Sequence, residues 1–156
     1  MSALAWEISV KVKRLSPLVG QRIGWPFYAT EGAAGLDLAA CLEAPLSIPP
    51  GQRAMIPTGI AVEIPSRFLV GLVFPRSGLA SRHGISLANA VGVIDSDYKG
   101  EIICPVQNNS QQEYTVHPGD RIAQLVFVPI AVARLELAEE LEPTRRGSGG
   151  FGSTGK

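Results

Sequence analysis

Hydrophobic and polar residues alternate with a period of two in several short stretches of this chain. Residues 6–13 place tryptophan, isoleucine and valine on one side and charged or small polar residues on the other. Ile60–Ile64 repeats the pattern, and Leu36 and Leu38 flank Asp37. Because side chains alternate between the two faces of a β-strand, these stretches predict half-buried strands.

Two longer stretches, Phe68–Phe74 and Ile122–Val132, are more continuously apolar. Such runs are typical of strands that are buried on both faces or that pack at a subunit interface. Turn-forming residues separate the runs. They are found at Pro49-Pro50-Gly51, Pro57-Thr58-Gly59, Lys99-Gly100 and Pro118-Gly119-Asp120. Many short strands with frequent turns predict an all-β barrel or sandwich, in which Ser77–His83 is the one helix that we expect.

Composition narrows the function classes. The chain has 14 Lys and Arg and 14 Asp and Glu, so it lacks the basic excess that attracts nucleic acid or an anionic membrane surface. It contains neither an apolar run long enough to span a membrane nor a signal-like start. Cys41 and Cys104 are expected to be buried free thiols. These features predict a reduced, cytoplasmic protein that binds neither nucleic acid nor membrane.

The last residues differ from the rest. From Pro143 the chain is rich in glycine, with Arg145 and Arg146 and a single large apolar residue, Phe151. We expect this segment, 143–156, to be mobile alone and to become ordered on a ligand, because it cannot bury enough apolar surface. Residues 150–156 match G-x-x-x-x-G-K, but no helix follows, which excludes a P-loop. Backbone amides, hydroxyls and arginines there suit an anion, and a disordered solubilising tail is the alternative.

Polar residues stand in three further segments where a β-protein needs few, namely 75–80, 89–100 and 119–125. Arg76 and Ser77 end an apolar strand and open the predicted helix, which suggests an anion site or an ordinary helix cap. Asp95, Asp97 and Tyr98 crowd the tip of a predicted hairpin, where a carboxylate can act as a general base or simply form a turn.

Asn89 and Gln124 interrupt apolar runs and need hydrogen-bond partners, which a ligand or a neighbouring strand can supply. Ser-His-Asp and nucleophile-elbow patterns are absent from the sequence, which disfavours covalent catalysis. The residues therefore suggest binding or hydrolysis of a phosphorylated ligand.

Five segments, in order along the chain, resemble the motifs of the trimeric all-β dUTP pyrophosphatase family (deoxyuridine 5′-triphosphate nucleotidohydrolase, dUTPase). They are Ala34-Gly35-Leu36-Asp37-Leu38, Pro75-Arg76-Ser77-Gly78-Leu79, Asn89 with Gly92-Val93-Ile94-Asp95-Ser96-Asp97-Tyr98, Gly119-Asp120-Arg121-Ile122-Ala123-Gln124, and Arg146-Gly147-Ser148-Gly149-Gly150-Phe151-Gly152-Ser153-Thr154-Gly155. Each motif alone is weak, but five in family order are specific.

The resemblance implies a distorted, jelly-roll-like β-barrel with one short helix, assembled as a homotrimer with shared active sites. Residues 1–142 are then the catalytic barrel, and 143–156 form a glycine-rich tail that closes over a site. The implied reaction is Mg²⁺-dependent hydrolysis of dUTP to dUMP and pyrophosphate, which supplies the dTMP precursor and keeps uracil out of DNA.

The resemblance also implies roles for single residues. Asp95 activates the attacking water, and Asp37 reaches a Mg²⁺, held mainly by phosphates, through a water. The uracil and deoxyribose are contacted by Asn89, Val93, Ile94, Asp95, Tyr98, Ile103 and Phe151. The triphosphate is contacted by Arg76, Ser77, Gly78, Gln124, Arg146, Ser153 and Thr154, and Gly152 belongs to the same substrate-binding set. A dCTP deaminase of the same fold and a non-catalytic nucleotide-binding module are the alternatives.

Overall fold

A computed structural model describes residues 7–150 of the chain. Within these residues the fold is built from short antiparallel strands and one helix. In chain order they are β1 (Lys11–Arg14), β2 (Phe27–Tyr28), β3 (Leu36–Ala39), β4 (Leu46–Ile48), β5 (Arg53–Pro57), β6 (Ile60–Glu63), β7 (Leu69–Pro75), α1 (Ser77–His83), β8 (Ile85–Leu87), β9 (Gly92–Ile94), β10 (Ile103–Asn108), β11 (Tyr114–Val116) and β12 (Arg121–Pro129). The prediction of an all-β protein with one short helix is confirmed, and α1 has the expected bounds.

The strands form four small sheets. The largest has the order β2-β3-β12-β7-β9, and a three-stranded sheet has the order β5-β10-β8. The pairs β1-β6 and β11-β4 complete the fold. The central position of β12 between β3 and β7 explains its continuous apolar sequence, although the strand ends at Pro129 and not at Val132.

One apolar core lies between the sheets. Leu38, Ile56, Val106 and Leu125 come from different strands, and each is at most 1% exposed. Cys104 also lies in this core, and both cysteines are free and buried, as expected. Strands β5 and β10 turn alternate residues inward and outward, which leaves an outer face that is partly apolar and open.

Three sequence predictions need correction. The first alternating stretch is a strand only at Lys11–Arg14, where all four residues are exposed, and Trp6 lies outside the described residues. Asp37 does not face solvent between two buried leucines, since it is 7% exposed. The third correction concerns the predicted hairpin.

The predicted hairpin at 92–100 is not a paired ribbon. Strand β9 pairs with β7, whereas β10 pairs with β5 and β8, so the two arms belong to different sheets. Residues 95–102 form a wide loop between them. In the part of the chain that the structure describes, no helix has the length and apolar character needed to span a membrane.

Candidate active site

A cleft of about 350 Å³ opens between β9 and the start of β10. Six of the predicted substrate-binding residues line it: Asn89, Val93, Ile94, Asp95, Tyr98 and Ile103. The walls are mixed, because apolar residues line the cleft together with Asn89 and two acidic residues, Asp95 and Glu101. The structure therefore brings together the whole set that the sequence assigned to the base and sugar within the described residues.

The main chain of β9 is available on one side of this cleft. In the described part of the fold, β9 is the last strand of its sheet and pairs only with β7. Side chains leave room for an approach, since Val93 is 61% exposed and Ile103 is 43% exposed. An edge strand presents unpaired N–H and C=O groups, which can recognise the edge of a flat ligand.

The wide loop 95–102 is held in shape by its own hydrogen bonds. The Tyr98 hydroxyl donates to the main-chain O of Glu101 at 2.8 Å, and the Tyr98 N–H donates to the O of Asp95 at 3.1 Å. A Cβ on Gly100 would lie 2.5 Å from the Tyr98 hydroxyl, so only glycine lets the ring lie across the loop. These contacts fix Asp95 at the rim of the cleft.

A second polar cluster lies in the largest sheet, where β3, β12 and the end of β7 are neighbours. Its centre is Asp37 in β3, whose side chain is 9% exposed. Arg76 Nε lies 3.1 Å from Asp37 Oδ1, and Arg121 Nη1 donates to Asp37 Oδ2 at 3.0 Å. One buried carboxylate therefore pairs with two arginines, which satisfies the charge of the aspartate.

Gln124 belongs to the same cluster because it is directly opposite Asp37 across β3 and β12. Its Nε2 donates to the main-chain O of Pro75 at 3.2 Å, next to Arg76. A Cβ on Gly35 would lie 2.9 Å from Gln124 Oε1, so this glycine makes room for the amide. The partner that the sequence required for Gln124 is thus a neighbouring strand.

Ser77 and Gly78 follow Arg76 at the start of α1. Arg76 is the N-cap residue with extended backbone, and the helix start has no side-chain cap hydrogen bond. Ser77 is therefore not a helix cap, and both it and Gly78 are exposed. They follow Arg76 directly, so they lie beside the Asp37 cluster.

The two clusters do not meet within one chain. Ile94 is opposite Gly71 near the start of β7, and Arg76 follows the end of that strand. Gly71 and Arg76 are five residues apart along the strand, which corresponds to roughly 17 Å at about 3.3 Å per residue. Asp95 lines the cleft at β9 and a second cleft beside the start of β7, and Arg76 lines neither of these two.

The tail is described only in part. Residues 143–150 are mostly exposed, and Arg146 Nε donates to the O of Gly149 at 2.8 Å within a turn. Arg146 does not line the cleft at β9. The predicted ligand contacts of Phe151, Gly152, Ser153 and Thr154 lie outside the described residues.

The described side chains do not form a metal cage. Between residues 7 and 150, no group of three or more His, Cys, Asp or Glu is placed to hold a metal ion. Asp37 has an arginine at each oxygen, but a carboxylate can accept about four hydrogen bonds, so it keeps acceptor capacity for a metal-bound water. This donor set fits a Mg²⁺ that keeps waters and phosphate oxygens as ligands.

Three residues of these clusters were missed by the sequence interpretation. Met55 lines the cleft from β5 with 61% of its surface exposed, and the side chain of Glu101 accepts a hydrogen bond from the Gly59 N–H at 2.8 Å. Arg121 pairs with Asp37. Of these three residues, only Arg121 could have been identified from the sequence, because it lies in one of the five recognised motifs.

Comparison with known proteins places the chain in a family. The dUTPase family model matches residues 21–155. The chain is 49% identical over 147 residues to the deoxyuridine 5′-triphosphate nucleotidohydrolase of Citrobacter koseri and 48% identical to that of Klebsiella pneumoniae. Each match covers 94% of this chain and 97% of the relative.

Solved structures of dUTPases have a fold similar to that of this chain. A variant dUTPase of Staphylococcus bacteriophage 80alpha with dUpNHpp has a TM-score of 0.82 at 28% identity, over 95% of this chain and 99% of that one. A variant dUTPase from phage phi11 of S. aureus, described as revealing the coordination of a structural Mg(II) ion, has a TM-score of 0.75 at 26% identity, over 87% of this chain and 100% of that one. The chain belongs to the dUTPase family.

Proposed function

We propose that this protein hydrolyses dUTP to dUMP and pyrophosphate. The observation that carries the proposal is the cleft at β9, where an edge strand, Tyr98 and Asp95 come together. A cleft with open main-chain groups suits a planar base, and a carboxylate at its rim suits the activation of water. Family membership and relatives that carry this activity in their names support the same conclusion.

Asp95 is the proposed catalytic residue. Its carboxylate orients a water and takes a proton from it as the water attacks the α-phosphorus, so that pyrophosphate leaves. Asp95 is exposed at the end of β9, and the hydrogen-bonded loop behind it limits its movement. Positioning of this kind and charge stabilisation account for most catalysis of phosphoryl transfer.

Recognition of the base is proposed to be a main-chain property. The groups of Val93, Ile94 and Ile103 pair with the uracil edge, and the Asn89 side chain assists. Cytosine has an amine where uracil has a carbonyl, so one pair would be lost at a cost of about 1–3 kcal/mol. The Tyr98 ring packs under the deoxyribose and excludes a 2′-hydroxyl.

The triphosphate is proposed to bind Arg76, Ser77, the N–H of Gly78 and Gln124. Arg146, Phe151, Gly152, Ser153 and Thr154 complete the enclosure from the tail. Because Arg76 and Asp95 lie at opposite ends of β7, we infer that a site takes them from different subunits. A homotrimer with shared sites meets this requirement, with 1–142 as the catalytic barrel and 143–156 as the closing tail.

Mg²⁺ is the proposed metal. When bound, it neutralises charge on the phosphate oxygens. Asp37 would contact it through a water, and phosphates and waters would supply the other ligands. The balanced charge of the chain supports a small-molecule substrate and no nucleic-acid or membrane partner, and we propose a cytoplasmic location.

The deaminase alternative is not favoured, because the family match is to dUTPase and the recognised motifs include the tail. A deaminase would release ammonia from dCTP, and a binding module would turn over neither nucleotide. Assays for ammonia and for pyrophosphate on the purified protein separate all three functions.

The Asp95→Asn variant tests the proposal. Loss of the general base is expected to lower kcat for pyrophosphate release by about 10³-fold. The affinity for dUpNHpp should stay near that of the native protein, because the rest of the cleft is unchanged. Asp97→Asn is the matched control, since Asp97 is in the same loop but does not line the cleft at β9. Native turnover by Asp95→Asn would show that the assigned role is wrong.

A further inference from the structure

Arg121 is the third charged side chain of the Asp37 cluster, and the reaction proposed above gives it no role. Its Nη1 donates to Asp37 Oδ2 at 3.0 Å, while Arg76 Nε lies 3.1 Å from Asp37 Oδ1. Arg76 Nη1 also donates to the main-chain O of Arg121 at 3.2 Å. One carboxylate thus holds two guanidinium groups side by side, and the cluster keeps an excess of positive charge.

A β-bulge in β12 brings Arg121 to this position. Arg121 is opposite Ala39 and Ala123 is opposite Leu38, so Ile122 is an extra residue on the β12 side. In a regular strand, residues 121 and 124 would lie on opposite faces. The extra residue reverses the alternation, so both Arg121 and Gln124 lie on the face of Asp37.

The guanidinium of Arg121 also remains accessible. Its side chain is 44% exposed and that of Arg76 is 28% exposed, whereas the Asp37 side chain between them is 9% exposed. Arginine has five N–H donors, and the bond to Asp37 uses one of them. The buried carboxylate therefore orients two cations, and their remaining donors make no further hydrogen bond within residues 7–150, so they can meet an anion.

We propose that Arg121 is a further substrate-binding residue, which contacts the polyphosphate of the nucleotide beside Arg76. Asp37 is the positioning residue that aligns the two guanidinium groups. The inference rests on the proposed function, because the anion is the triphosphate of dUTP. Two forked cations match the many oxygens of a triphosphate better than the single phosphate of dUMP.

The test compares two ligands on matched variants. Native protein, Arg121→Gln, Arg121→Lys and the control Arg53→Gln are titrated with dUpNHpp and with dUMP in a calorimeter. Arg53 is an exposed arginine of β5 that lines neither cluster. Arg121→Gln is expected to weaken dUpNHpp binding on the order of 10-fold and to change dUMP binding by less than about 2-fold.

The conservative variant keeps the test decisive. Arg121→Lys keeps the charge without the fork, so it should fold like the native protein and show a smaller loss for dUpNHpp alone. Equal losses for both ligands, or unchanged affinities with a lowered Tm, would overturn the inference and leave Arg121 a structural residue. Absence of dUpNHpp binding by the native protein would instead overturn the proposed function, and this inference with it.

Discussion

Asn108 shows how a single buried polar residue can organise a loop. Its side chain is fully buried, and its Nδ2 donates to the O of Ile48 at 2.8 Å and to the O of Gln112 at 2.7 Å. Its Oδ1 accepts from the N–H of Ser110 at 2.9 Å and from the Ser110 hydroxyl at 2.8 Å. All of its hydrogen-bonding capacity is therefore used, which makes burial of the amide favourable.

Asn108→Ala is expected to lower the free energy of unfolding by about 3 kcal/mol, because it removes the four hydrogen bonds of a fully buried amide and takes the Nδ2 donor away from the main-chain O of Ile48. Thermal and urea unfolding measure this loss. The neighbour Asn109 is exposed and donates one bond to Ser86 Oγ at 2.8 Å, so Asn109→Ala should change stability by less than about 0.5 kcal/mol. Equal effects of the two variants would contradict this account of the loop.

Cys104 links stability to pH. Burial raises the pKa of its thiol to about 12 from an ordinary value of 9.0. A raised pKa means that the folded protein retains a proton that the unfolded chain loses. The stabilisation is therefore complete below pH 9 and is lost as the pH rises towards 12.

We expect the free energy of unfolding to fall above pH 9 by an extra amount of about 1.4 kcal/mol per pH unit, relative to Cys104→Ala. Urea unfolding of both proteins between these limits, at one protein concentration, gives the difference. Other titrating groups are common to both proteins and cancel. Parallel curves would show that the Cys104 thiol does not contribute.

Single residues also mark the limit of sequence interpretation. Asp95, Asn89 and Tyr98 were predicted from local motifs and meet at one cleft. The two arginine partners of Asp37 depend on strands far apart in sequence, and local periodicity carries no information about them. Period-two alternation placed Asp37 on the solvent side because alternation cannot report that a buried face has a charged partner.

At the level of elements, the junction of β3 and β12 decides where Gln124 lies. Gly35 precedes β3, and a Cβ there would lie 2.9 Å from Gln124 Oε1 and 3.2 Å from Val126 Cγ2. The amide can remain between the strands only because this position lacks a side chain. The glycine of the first motif therefore serves packing between two strands.

Gly35→Ala is expected to displace the Gln124 amide and to lower kcat/KM for dUTP about 10-fold, with the fold retained. Steady-state kinetics and circular dichroism measure the two effects. Gly32→Ala is the control, because a Cβ on Gly32 meets no atom within 4 Å. Native kinetics for Gly35→Ala would mean that the amide position does not matter.

Elements also differ in how well the sequence predicted them. The predicted bounds of helix α1 match the structure. Its start after Arg76 and its end at the left-handed Gly84 are both marked by local sequence signals. The prediction that β9 and β10 form a hairpin was wrong. Each strand pairs instead with strands distant in sequence, β9 with β7 and β10 with β5 and β8. Local turn residues predicted where the chain reverses but not which sheet each arm joins.

At the scale of the whole molecule, the separation of the two clusters is the main constraint. Asp95 follows β9 near one end of β7, and Arg76 follows β7 at the other end. In the proposed homotrimer, each chain therefore presents two half-sites that face different neighbours. Assembly into a ring of identical subunits can join the half-sites, since each interface then repeats the same pair of surfaces.

Mixed oligomers test this arrangement. Asp95→Asn and Arg76→Gln each remove one half-site and are expected to be nearly inactive alone. When the two variants are unfolded together in equal amounts and refolded, random assembly gives a native Asp95 and a native Arg76 from adjacent subunits at about a quarter of the sites. Pyrophosphate release should therefore recover to roughly a quarter of the native rate, whereas each variant refolded alone stays inactive.

Two affinity tags confirm that mixed oligomers form. Mixed oligomers without recovered activity would place both groups in one chain, because a site within one chain never receives both native residues.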